Sequence, residues 1–359
     1  DRGCSNQDNG RSAVWIEESF AEFKDITVVS GDFGLSYRSS AGKVSGSTIN
    51  VNCNGIDING MISVGTNEYA TNVSGNTITT VEGTPLTAYA GALAEIYDNT
   101  VSGASEGSGI GVQSSRVTIH GNSIGPIGGW NGIWLYGSFD VDAQNNTIID
   151  TAKEPVMAGD YWAGDNPDVR RLYFANNQVT VPGTGVCQSS KYWGGEFPCS
   201  LVQVHRAGAT IVDNIFTAGG SADGIRATGA LLNVQRNTWN LNAEGAVIQN
   251  YNTGFAGVQQ YGSLAFFSDN EWNGVTSTYN ITKSSVTVQS ETIPNPDDGE
   301  VPVKLSWNDQ EAWPGVVDND NDGEPDGDWD TNIIPHQVTS CAICPDYTPR
   351  DFPLALNMD

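Results

Sequence analysis

The sequence is poor in positive charge, in methionine and in histidine. Its 359 residues include 16 Lys and Arg against 42 Asp and Glu, for a formal charge of −26, with 3 Met and 3 His. So acidic a chain is repelled by nucleic acid and by anionic membrane surfaces, and neither is expected as a partner. No apolar run reaches the roughly 18 residues that a bilayer crossing requires, so membrane insertion is not expected either. Long amphipathic helical patterns are missing as well. With 42 Gly and abundant Asn, Ser and Thr, the chain reads as all-β.

Dense catalytic motifs are also lacking. His120, His205 and His336 fall in no HExxH pattern, and no GxSxG, P-loop or dinucleotide fingerprint occurs. His120, in a strand beside Asn122, reads as a structural histidine. The cysteines number 6: Cys4, Cys53, Cys187, Cys199, Cys341 and Cys344. An even count fits disulfides formed in an oxidising compartment. Cys187 and Cys199 bracket a short loop and are expected to pair. Cys341 and Cys344 have CxxC spacing, but no second CxxC and no following His, which favours a disulfide over a metal. The chain opens at Asp1 with neither Met nor signal segment, as a processed secreted protein would. Sequons at Asn72, Asn145 and Asn280 permit N-glycosylation. A secreted, extracellular or cell-surface location is expected.

What the chain does have is a repeat. "VSGNTI", "IYDNTV", "IHGNSI", "AQNNTI", "FANNQV", "IVDNIF", "VQRNTW" and "FSDNEW" align on Asn76, Asn99, Asn122, Asn146, Asn177, Asn214, Asn237 and Asn270. The spacings are 23, 23, 24, 31, 37, 23 and 33, and Ser47 holds the same frame 29 residues before Asn76. A Gly followed by an apolar residue precedes this slot at Gly34, Gly109, Gly132 and Gly224. Between the marks run short alternating segments such as "RVTIHGN", which is strand patterning. A unit of about 23 residues made of short strands and Asn/Gly turns is one coil of a solenoid.

In these repeats the chain resembles the right-handed parallel β-helix proteins of the pectate-lyase-like fold, over roughly Asp25 to Ser290. The resemblance implies an Asn at each turn whose side-chain amide bonds to the coils above and below. Residues 1–24, with Trp15, Ile16, Phe20 and Phe23, are expected to form an N-terminal cap, and 25–290 the β-helix. Residues 291–359, rich in proline and acid, are expected to be an appendage or cap over the other end. Stretched spacing marks inserts at 151–171, 182–200 and 250–262. The first two carry Tyr161, Trp162, Tyr192, Trp193 and Phe197, with the cations Arg170, Arg171 and Lys191. Function on a repeat scaffold usually sits on such inserts.

The tail contains "VDNDNDGEPDGDWD", with 7 acidic residues between Val317 and Asp330. Alternating carboxylates around a Gly turn suit Ca²⁺, which takes about six to eight oxygens. The pattern is similar to thrombospondin type 3 repeats and to the start of an EF-hand loop. The similarity implies side-chain ligands from Asp318, Asp320, Asp322 and Asp326 and a backbone ligand from Glu324. Trp329 stands where an EF-hand has its bidentate Glu, so a complete EF-hand is not expected.

Two functions fit. The first is a structural or adhesive β-solenoid of a surface or extracellular assembly, calcium-stabilised, with a glycan as possible partner and self-association through the solenoid ends into an oligomer or filament. The second is a calcium-dependent polysaccharide lyase or glycoside hydrolase, drawing on Asp160, Asp165, Asp168, Arg170, Arg171, Lys191 or Arg206. The polygalacturonase-like set of NTD, DD, GHG and RxK is absent, and an acidic protein repels a polyanionic substrate. The first reading is preferred.

Overall fold

The structure, a computed structural model, describes Cys4 and residues 12–29, 31–159, 170–181, 190–192, 195–197, 199–249, 263–282, 284–290 and 303–306. No helix occurs among them. The chain winds through three long parallel sheets, each coil giving one strand to each in turn. Sheet 1 has 12 strands, from Ser12–Glu17 to Val303–Ser306. Sheet 2 has 11, from Phe20–Lys24 to Ser285–Gln289, and sheet 3 has 10, from Thr27–Val29 to Glu271–Asn273. The expected all-β parallel β-helix is therefore present. Ser12–Glu17 and Phe20–Lys24, read from the sequence as cap, pair in parallel with Phe33–Arg38 and Ala41–Ser45 as the first coil itself. Val303–Ser306, read as appendage, pairs with Ser277–Thr282 and extends sheet 1.

The aligned asparagines occupy the turn from sheet 2 to sheet 3. Asn122 shows the pattern. Its Oδ1 accepts the backbone N–H of Asn99 at 3.0 Å and the Nδ2–H of Asn99 at 3.0 Å. Its Nδ2 donates back to the Ile96 carbonyl at 2.9 Å and forward to Asn146 Oδ1 at 3.0 Å. The chain of amides runs unbroken from Asn76 to Asn270, and Asn76 Oδ1 accepts the Ser47 N–H at 2.9 Å. All eight side chains are buried. The ladder asparagines are not themselves left-handed. The residue before each slot is: Gly46, Gly75, Asp98, Gly121, Asn145, Asn176, Asp213, Arg236 and Asp269 all have positive φ. Gly, Asn and Asp tolerate that region, so the two-residue turn needs its first residue for shape and its second for bonding.

Each coil encloses one layer of core. Rows of inward side chains stack coil on coil: Leu35, Ile56, Leu86, Ile110, Ile133 and Val156 on sheet 1, and Ile49, Ile78, Val101, Ile124, Ile148 and Val179 on sheet 3. Every such aliphatic side chain contributes about 1.5–3 kcal/mol by leaving water. Beyond Val179 the sheet 3 row turns aromatic. Phe216 stacks on Trp239 at 4.0 Å between ring centroids, and Trp239 on Trp272 at 5.1 Å. The Gly markers explain themselves here. A Cβ on Gly109 would lie 2.6 Å from Ile124 Cγ2 and 2.7 Å from the Gly132 carbonyl, so the turn into sheet 1 has no room for a side chain. The wide spacing between Ser47 and Asn76 is taken up by an antiparallel hairpin, Ile62–Val64 with Asn67–Tyr69.

Cys4 and Cys53 form a disulfide within the chain, with Cα atoms 5.3 Å apart, tying the N-terminal segment to the third turn of an early coil. Cys199 is disulfide-bonded. Cys187, Cys341 and Cys344 lie outside the described residues.

Candidate functional site

Strand alternation divides the residues of sheet 1 between core and outer face. Between the inward rows, Ser36, Asp57, Thr87, Gly111, Trp134, Met157, Gln203, Arg226 and Val247 line up coil by coil on the outside. Two residues later a second outward row holds Arg38, Asn59, Tyr89, Gln113, Tyr136, Gly159, His205 and Thr228. These rows form three zones.

At the N-terminal end Asp57 is buried under its neighbours. Arg38 Nη2 donates to Asp57 Oδ2 at 2.9 Å, the Tyr89 hydroxyl donates to the same oxygen at 2.9 Å, and the Thr87 hydroxyl donates to Oδ1. The Arg38 guanidinium also lies 5.0 Å above the Trp15 ring and 5.4 Å from that of Tyr89. Burial raises the Asp57 pKa, opposed by the Thr87 hydrogen bond and the Arg38 charge. Burial likewise pushes the Tyr89 hydroxyl to about 12, with the Asp57 charge adding to it. The cluster is a polar plug in which both Asp57 carboxylate oxygens are bonded.

In the middle is an aromatic patch open to solvent. Trp134 and Tyr136, on one strand, have ring centroids 5.3 Å apart, and Trp130 meets Trp134 edge-on at 6.2 Å. Lys153 Nζ lies 4.5 Å from the Trp130 ring centroid. Trp130 is 36% exposed and the other two rings are half-buried. Rings like these offer flat apolar faces with polar edges to a ligand that is itself part apolar and part hydroxylated.

Toward the C-terminal end the outer face is closed off. Met157, Gln203, His205, Arg226 and Val247 are all buried although they point away from the core. Arg226 Nη2 pairs with Asp223 Oδ2 at 2.8 Å, and Gln203 contacts the His205 ring at Nε2. Burial lowers His205 to about 3, helped by the Arg226 charge, so the ring is neutral at physiological pH. Burial raises the Asp223 pKa, and Arg226 opposes it.

Of the cations named from the sequence, Arg170, Arg171 and Arg206 do not meet on this face. Arg170 donates from Nε to the Gly137 carbonyl at 3.1 Å and from Nη1 to the Arg206 carbonyl at 2.9 Å, clamping the turn between sheets 1 and 2. Arg171 pairs with Asp140 on sheet 2 at 3.0 Å. Arg206 sits in the same turn with φ of 46°. Asp160, Asp165, Asp168, Tyr161, Trp162, Trp193 and His336 lie outside the described residues, as do the calcium-loop positions Asp318, Asp320, Asp322, Glu324 and Asp326. Among the described residues no group of three or more His, Cys, Asp or Glu is arranged to hold a metal. His120 stacks on Tyr97 with centroids 5.4 Å apart on sheet 2. Of the sequon asparagines, Asn72 is buried and donates to Glu95 at 3.0 Å, Asn280 donates to Glu244 at 3.0 Å, and Asn145 is exposed at a left-handed turn position. Trp130, Trp134 and Tyr136 escaped the sequence reading because they sit inside regular coils. Their signal was the alternation in "IWLY", which turns Ile133 and Leu135 inward and both rings outward.

A family model described as a right handed beta helix region matches residues 59–254. No curated protein matches the sequence. Among solved structures, the chain is similar to PfbA, a surface adhesin of Streptococcus pneumoniae, in two structures. One aligns at 12% identity over 84% of this chain and 85% of that chain, with a TM-score of 0.24. The other aligns at 11% identity over 82% and 91%, with a TM-score of 0.22. Scores that low carry no statement about the role of this chain.

Proposed function

Since the chain belongs to the right-handed β-helix family, we propose that it is an adhesive solenoid of a cell surface or extracellular assembly, holding a neutral glycan on the outer face of sheet 1. The observation that carries this reading is the open row of Trp130, Trp134 and Tyr136 with Lys153 beside it. Two of these rings, Trp134 and Tyr136, are fixed on one strand and bind with little loss of side-chain freedom. The charge of −26 disfavours a polyanionic ligand and leaves a neutral one as the better fit. Affinity electrophoresis through gels containing xylan, mannan or β-glucan tests it. Retardation of the wild type, lost in Trp134→Ala, is expected; equal mobility of both in every gel sinks the reading.

The enzyme alternative draws on one observation, the buried His205, Gln203, Arg226 and Asp223 on the same face. Release of unsaturated or reducing sugar ends, lost in His205→Gln, would favour it. Calcium at Asp318, Asp320, Asp322, Glu324 and Asp326, and association through the solenoid ends, belong to the proposal on sequence pattern alone.

A further inference from the structure

Sheet 3 differs from sheets 1 and 2 in being almost without charge. From Thr27–Val29 to Thr238–Asn240 its strands contain no Asp, Glu, Lys or Arg, and Glu271 in the last described strand is the first. A chain of 42 acids and 16 bases makes such a face unexpected. Its outward residues are instead hydroxylated and in register. Thr27, Thr48, Thr77, Thr100, Ser123 and Thr147 pair directly, coil after coil. All are exposed except the half-buried Ser123, and their hydroxyls make no hydrogen bond among the described residues.

A second outward row lies two residues along. It holds Asn50, Thr79 and Ser102, then Thr180, Thr217, Asn240 and Asn273 beyond a register shift between Val101 and Gly103. This row is partly cross-linked: Thr79 and Ser102 hydroxyls are 3.1 Å apart, and Asn273 donates to Asn240 at 3.1 Å. Exposed aliphatic groups fill the gaps, Val29 at 62%, Ile149 at 38% and Ile215 at 45%.

We propose that the outer face of sheet 3 is an ice-adsorbing surface, its in-register hydroxyl and methyl groups matching rows of ordered water on an ice crystal. The spacing is that of the sheet itself, about 4.8 Å between coils and about 6.6 Å between alternate residues. The repeat along the stack is close to the shorter oxygen repeat of hexagonal ice. A periodic face calls for a periodic partner, and a protein without a structural repeat presents no such lattice. Crystalline polysaccharide is the other periodic solid, but it is held by stacked rings, and Phe216, Trp239 and Trp272 on these strands point inward. Single hydroxyl–water bonds gain nothing over bulk water. The array gains because its groups are held in place beforehand, threonine being stiff at χ1.

The test uses the full chain and does not depend on sheet 1. Protein is partitioned between slowly grown ice and the remaining liquid, beside serum albumin, and ice recrystallisation is followed in parallel. Wild type and Thr118→Lys, on the outer face of sheet 2, are expected to enrich in the ice and to arrest recrystallisation. The double variant Thr77→Lys/Thr100→Lys is expected to stay in the liquid with an unchanged melting temperature. If the lysine pair lowers that temperature, Thr77→Gln carries the same comparison. Wild type partitioning no better than albumin overturns the proposal, as does full retention of the lysine variant. Binding to microcrystalline chitin or cellulose that the same substitutions abolish, without any ice activity, also overturns it.

Discussion

Replacing Asn122 by Leu removes one rung of the amide ladder. Asn122 Oδ1 is the acceptor of the Asn99 backbone N–H at 3.0 Å, and the site is buried, so that donor is left with nothing. A buried orphan of this kind costs about 1–3 kcal/mol. The Ile96 and His120 carbonyls lose a donor each. Asn99 Nδ2 keeps the Val73 and Tyr97 carbonyls, and Asn146 Oδ1 keeps the Asn122 N–H, so those losses are partial, together about 1–2 kcal/mol. Added apolar burial offsets about 1 kcal/mol. The expected net loss is about 1–4 kcal/mol. Urea unfolding followed by far-ultraviolet circular dichroism and by the fluorescence of buried Trp239 and Trp272 measures it. Asn145→Gly, one residue from a rung and already left-handed, should stay within about 1 kcal/mol of wild type. A loss below about 0.5 kcal/mol for Asn122→Leu, or equal losses in both variants, would refute the reasoning.

Three further outcomes are expected. The folded pKa of His205 is about 3 and the unfolded value about 6.5, so the unfolded chain binds the extra proton between them. The contribution of this ring is complete above about pH 6.5 and falls by about 1.4 kcal/mol per unit below it, so His205→Gln should flatten the acid side of the stability profile; unchanged slopes would contradict this. Arg38→Ala strands the buried Asp57 carboxylate and should cost about 3–5 kcal/mol, with more than half recovered in Arg38→Ala/Asp57→Asn; no recovery in the double variant argues against the ion pair. Chelator should lower the melting temperature of wild type but not of Asp320→Ala/Asp322→Ala, and a null shift in both would leave the loop an acidic linker.

The fold was legible because a solenoid writes its geometry into the sequence once per coil. Asn76 to Asn270 could be aligned by eye since each meets the same neighbours, and Gly109 and Gly132 marked turns with no space for a Cβ. The serines of the other turn were harder to see. Ser40, Ser115 and Ser263 accept the backbone N–H of Ser19, Ala92 and Ala230, a second and sparser ladder in a composition already rich in serine. The start of the stack was missed because "SAVWIE" and "FAEFK" have no Asn slot: Asp25 takes the left-handed turn and Ile26 bonds to Ser47 Oγ instead. Sites were less legible than the fold. His205 and Arg226 stand 21 residues apart and Arg38 and Tyr89 stand 51 apart, and only the winding of the coils brings each pair together.

The ladder also makes length a free variable. Asn76, Asn99 and Asn122 make interchangeable bonds at intervals of 23 residues, above cores of interchangeable Ile and Val. A duplication or deletion of one such segment would restore the ladder bonds and the core layer across the join and alter the reach of the molecule by about 4.8 Å. The same operation beyond Phe174 meets the ring stack of Phe216, Trp239 and Trp272, in which each ring packs against rings of different size and tilt. Natural variants of this chain should therefore differ in coil number on the N-terminal side of Phe174 and keep one length beyond it.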